Sequence, residues 1–128
     1  MEEKVKYWLS LSEYDLDTAE AMLQTKRLLY VGFMCHQSVE KILKAYFTKI
    51  KSSTAPYTHN LTFLSKESGI YELFNDIHKE YIQFLEPLNI ESRYPSYKEK
   101  IFESLSYDRC VLILNSTKEI VNWIKQKL

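Results

Sequence analysis

The residues best suited to chemistry gather in two places. Between Leu28 and Lys51, the side chains of Phe33, His36, Gln37, Glu40, Lys41 and Lys44 fall on one arc of a helix advancing about 100° per residue. Lysines there offer charge to an anion, while imidazole and amide groups offer directional hydrogen bonds to a nucleotide, a partner or a second copy of the chain. The second place is the run Arg93, Tyr94, Pro95. There a guanidinium can grip phosphate with two parallel hydrogen bonds, and Tyr94 or Tyr97 can stack on a base. His59, just ahead of Asn60, lies between the two in sequence.

Each group also has a purely structural reading. Glu40 and Lys44 are four residues apart and can pair on a solvated helix face. Arg93 can pair with an acid such as Glu40 while Tyr94 packs on the protein. His59 can tie a loop down through its ring nitrogens, and His78 reads as a residue at the solvent edge. The three histidines show neither HxxxH nor HExxH spacing, and Cys35 and Cys110 stand alone in apolar helical patterns. No metal and no cofactor is expected, and both thiols should be buried and reduced.

Helices must position these groups. Only two Gly and three Pro in 128 residues leave little turn chemistry for a sandwich or barrel. Val5, Trp8, Leu9, Leu16, Ala19, Met22 and Leu23 predict a first helix over about 3–25. After a link at Lys26 and Arg27, Val31, Cys35, Val39, Ile42, Tyr46 and Ile50 predict a second helix to about Lys51, antiparallel to the first. SSTAPYTHN reads as a loop, Asn60 as the cap of LTFLSKES, and Gly69 as its end. Ile70, Leu73, Phe74, Ile77, Tyr81, Phe84, Leu85 and Leu88 predict one fourth helix stopped near Pro87, and NIESRYPSYKEK an irregular segment. A last helix begins from Ser104 or Ser106. The expectation is one all-α domain over residues 1–128, an antiparallel four- to five-helix bundle with Trp8, Val39, Ile42, Ile77, Phe84, Leu114 and Ile120 in its core. Seventeen basic and seventeen acidic residues argue against binding nucleic acid through a large excess of positive charge. No segment reads as a leader or a membrane span, so the expected location is the cytoplasm.

CHQSVEKILKAYF, preceded by Trp8 and YDLDTAEAML and followed by PYTHNLTFL and ESRYP, resembles the HEPN domain family over nearly the whole chain. The resemblance implies a bundle related to the C-terminal domain of kanamycin nucleotidyltransferase. It also implies frequent dimerisation, association with minimal nucleotidyltransferases, nucleotide binding and toxin-antitoxin roles. Many relatives are ribonucleases with Arg, four to six residues, then His. Here eight residues separate Arg27 from His36, no His follows Arg93 or Arg109, and Lys98 stands where a His would follow Arg93 at four intervening residues. Lysine stays protonated at neutral pH and is a poor proton acceptor there. In related pairs the partner enzyme modifies a tyrosine; the surrounding motif is missing here, leaving Tyr94 and Tyr97 as weak counterparts.

The reading is therefore a non-catalytic HEPN protein that forms a homodimer and binds a nucleotide, a minimal nucleotidyltransferase or both. Its expected polar site comprises His36, Gln37, Glu40, Lys41, Lys44, His59, Arg93 and Tyr94. Two alternatives stand beside it: a divergent ribonuclease toxin using Arg93 with His36 or His59 on RNA, and a scaffold whose role is to pack against another protein.

Overall fold

The computed structural model describes residues 2–90 and 95–128. Among them are six α-helices and no strand: α1 (Glu2–Gln24), α2 (Leu28–Lys51), α3 (Leu61–Ser68), α4 (Asp76–Leu85), α5 (Pro95–Ser104) and α6 (Tyr107–Lys125). Two 3-10 turns, Ile70–Leu73 and Glu86–Leu88, flank α4. None of these helices is long and apolar enough to cross a membrane.

The reversal between α1 and α2 is hydrogen-bonded in the manner of a helix C-terminal cap. Lys26 takes the left-handed conformation at φ 59°. Its N–H donates to the Leu23 carbonyl at 3.0 Å, and that of Arg27 to Met22 at 2.8 Å, so carbonyls left over at the end of α1 are satisfied. The chain then returns along α1: Ser12 meets Ser38, and Trp8 further back meets Lys44 further on. Ion pairs Glu20–Lys118 at 3.5 Å and Glu13–Lys125 at 3.1 Å set α6 antiparallel to α1.

Between α1, α2 and α6 lie Ala19, Leu23, Val31, Cys35, Val39, Ile42, Leu114, Ile120 and Ile124, and Leu61, Leu64, Ile70, Ile82 and Leu85 extend this core beneath α3 and α4. Cys35 and Cys110 are buried free thiols. Burial pushes the Cys35 thiol up to about 12, the neutral form being the one an apolar interior tolerates. Tyr81 ties α4 to α6: its hydroxyl donates to the Ile113 carbonyl at 2.7 Å and lies 2.6 Å from Thr117 Oγ1.

Several expectations need correction, and the first concerns Trp8, which is partly exposed on α1 and lies outside the buried core. The single helix predicted from Ile70 to Leu88 is broken, because Gly69 and an extended Phe74 bracket a 3-10 turn. Asn75 then restarts the helix through a capping box, its side chain accepting from the His78 N–H at 2.8 Å while His78 Nδ1 faces the Asn75 N–H at 3.4 Å. The restart changes the phase of the stripe. Ile77 and Phe84 are consequently exposed, 74% and 39%, rather than in the core, and Ile82 and Leu85 turn inward.

Ile50, placed on the apolar stripe of the second helix, is likewise exposed in the last turn of α2. The irregular segment proves helical from Pro95, a residue whose fixed φ suits a first helical turn and whose missing N–H costs nothing there. Arg93 and Tyr94 lie outside the described residues, so the predicted approach of the Arg-Tyr-Pro loop to α2 lies outside them too.

Candidate functional site

Helix α2 is central, with α1, α3 and α6 against it, and this changes the character of its polar arc. Phe33, His36, Glu40 and Lys44 are all buried. The arc predicted as a solvated face or an open binding face is largely an internal seam, in which Lys41 and Lys44 meet α1 and Glu40 meets the loop before α3.

Glu40 is the hub of that seam. It is 2% exposed, and an ionised carboxylate at such a depth needs partners for its oxygens. Oε2 lies 3.2 Å from Lys44 Nζ, one helical turn on. Oε1 lies 2.8 Å from His59 Nδ1. A carboxylate only accepts, so Nδ1 carries a proton and donates, and Nε2 is the ring nitrogen not engaged by Glu40. The His59 side chain is 48% exposed, with Tyr57 edge-on against it at 5.9 Å between ring centres. The loop sequence explains this placement: Thr58 Oγ1 accepts from the Asn60 N–H at 3.1 Å, and Asn60 caps α3, which fixes the residue between them.

Both lysines of the expected site are already engaged. Lys41 Nζ lies 2.6 Å from Asp15 of α1. Lys44, besides pairing with Glu40, sits over the Trp8 ring at 5.2 Å from its centre. His36 is fully buried; its Nδ1 lies 3.3 Å from Gln37 Oε1, and Nε2 has no hydrogen-bond partner among the described residues. Burial drives its pKa down to about 4, against a smaller opposing effect from Glu40.

His78 is half-buried, serves the Asn75 capping box and leans on Trp123 at 4.5 Å between ring centres. His59 is thus the histidine held by a buried carboxylate while about half of its side chain is open to the outside. The structure brings His36, Gln37, Glu40, Lys41, Lys44 and His59 into one seam, while Arg93 and Tyr94 fall outside the described residues. Among those residues no group of three or more His, Cys, Asp or Glu side chains is arranged to hold a metal.

Sequence reasoning missed the α1 half of the seam. Ser12 and Ser38 each donate a hydroxyl hydrogen bond to the other's carbonyl, at 2.7 and 2.8 Å, and Asp15 holds Lys41. The signal was available. Trp8, Ser12, Asp15, Ala19 and Leu23 form one stripe at spacings of four, three, four and four, and Ser12 and Asp15 occupy its centre. Polar residues on a core stripe imply buried polar partners on the facing helix.

Comparison with known proteins agrees with this architecture. No curated protein matches the sequence. A solved structure, that of TT1696 from Thermus thermophilus, superposes with a TM-score of 0.77 over 98% of each chain at 17% sequence identity, which shows a shared fold. The model of the HEPN domain matches residues 5–127, so that the helical order, the α1–α2 seam and the capped α3 all lie within the match, and the chain belongs to the HEPN domain family.

Proposed function

We propose that this chain is a non-catalytic HEPN-domain binding module that forms a homodimer and engages a minimal nucleotidyltransferase, a nucleotide or both through the Glu40–His59 corner, in the setting of a toxin-antitoxin pair. The observation that carries this reading is the position of His59: its Nδ1 is fixed by a buried carboxylate and half of its side chain faces outward. A histidine held in this way presents one oriented hydrogen-bonding nitrogen, with the Tyr57 ring beside it, at low entropic cost on binding. Of the two arms, the geometry favours the protein partner. Lys41 and Lys44 are neutralised within the fold at 2.6 and 3.2 Å, so a phosphate at this corner competes with two carboxylates already in place.

The test is purification of the tagged chain from its native host, read by mass spectrometry for co-eluting protein and for bound small molecules. A co-eluting nucleotidyltransferase or a bound nucleotide is the expected result, and recovery of neither in repeated preparations contradicts the proposal. One observation favours a second reading: a carboxylate-held histidine is also the arrangement of a general base, which keeps the ribonuclease alternative alive with His59 and Arg93 as its pair. RNA cleavage by wild type that His59→Ala abolishes would establish that reading instead.

A further inference from the structure

The face formed by α4 and α6 on the outside of the bundle is apolar in a way the core does not use. On α6, Arg109, Leu112, Ser116 and Glu119 follow one another at spacings of three, four and three, which keeps them on one face. Ile77, Tyr81 and Phe84 of α4 lie alongside, and the two helices frame two shallow depressions, one reaching Arg109 and one reaching Glu119, that share Tyr81 and Ser116 as lining residues. Ile77 is 74% exposed and Leu112 65%. The capping box at Asn75 is what turns Ile77 outward, so the exposure is built by the local sequence.

The charges on this face have no oppositely charged partner among the described residues. The lysines of the α1–α2 seam and of the α1–α6 contact all have acidic partners. The Arg109 guanidinium, by contrast, donates to the Ser104 carbonyl at 3.0 Å, and neither Arg109 nor Glu119 has an ion pair among the described residues. Leu112 and Ser116 are equally far from the level of residue 114, and so are Arg109 and Glu119. A two-fold axis crossing α6 at that level therefore lays Leu112 against Ser116 of the second copy and Arg109 against Glu119 of the second copy. Large meets small and cation meets anion, each twice, which is the self-complementarity an isologous contact requires.

We infer that the α4–α6 face seats a second copy of this chain, with the two α6 helices packed antiparallel about a two-fold axis at the level of residue 114. The inference rests on the dimer reading above and gives it an interface. Tyr81 and Phe84, flanking the seam from α4, supply the aromatic contact area common in the centre of such interfaces.

Sedimentation of the full chain over a range of concentrations tests it, with circular dichroism confirming that each variant is folded. Wild type should form a dimer, and Leu112→Asp should weaken it by at least about tenfold, since it puts two charges into the centre of the contact. Arg109→Glu and Glu119→Arg should each weaken it, because symmetry turns both ion pairs repulsive in either variant. The double variant Arg109→Glu/Glu119→Arg should recover dimerisation. A wild-type monomer at every concentration overturns this inference together with the dimer reading. A dimer indifferent to Leu112→Asp and to both single reversals overturns this interface and leaves the dimer reading standing. A double variant no better than the singles overturns the two-fold register.

Discussion

Glu40 Oε1 lies 2.8 Å from His59 Nδ1, while the other oxygen of the same carboxylate lies 3.2 Å from Lys44 Nζ, so one buried side chain couples the loop before α3 to the central helix. The two halves of this relationship differ in depth. Lys44 is buried, and His59 is half open.

Removing the hub strands a cation in the interior. Glu40→Ala should destabilise the fold by about 3 to 5 kcal/mol, because Lys44 loses its counter-charge where water cannot replace it. His59→Ala leaves Oε1 without its donor, but the half-exposed ring it removes can be replaced there by water, so it should cost less, about 1 to 3 kcal/mol. Urea denaturation of the two variants checks the order. Equal losses would mean that the carboxylate is not held by Lys44.

His36 gives the fold a dependence on pH. Its pKa falls from 6.5 to about 4 because burial disfavours the charged ring. Between these values the unfolded chain takes up a proton that the folded chain refuses. Stability is therefore fully present above about pH 6.5, falls as the pH is lowered through that window, and levels off below about pH 4, with a total loss of roughly 3 kcal/mol from this group. Urea midpoints at pH 7.5 and 4.5 should diverge more in wild type than in His36→Phe, which has nothing to titrate at this position. An equal divergence would show that His36 takes up its proton in the folded state.

Two isoleucines on α2 separate the sequence pattern from the packing. Ile42 is fully buried and Ile50 is 49% exposed, although both fit the same apolar stripe. Ile42→Ala should cost about 2 to 5 kcal/mol, and Ile50→Ala about 0.5 kcal/mol or less. Thermal denaturation of the two variants measures the difference, and comparable losses would place Ile50 in the core.

The contrast shows what the sequence could and could not convey. Helix class, the α1–α2 hairpin, the Asn60 cap and the Gly69 stop were legible, since each depends on spacing or on one residue's local chemistry. The break before α4 was not, because Ile70, Leu73, Phe74 and Ile77 keep helical spacing while the decisive event is a capping box between Asn75 and His78. Within the candidate site, the polar arc of α2 was visible from residue types. Its burial was not, because burial depends on α1, α3 and α6 all choosing α2 as their neighbour. Glu40 and Lys44 fit a surface pair equally well by spacing; only the approach of His59 and Trp8 makes them an internal one.

The central claim is that the Glu40–His59 corner binds a partner or a nucleotide. Its most direct test is calorimetric titration of wild type and His59→Ala with the nucleotidyltransferase that co-purifies from the native host, and separately with ATP, GTP and AMP. Wild type should bind at least one of them, and His59→Ala, while still folded, should bind it at least about tenfold more weakly, the equivalent of about 1.4 kcal/mol. No binding by wild type, or equal binding by both proteins, would contradict the account.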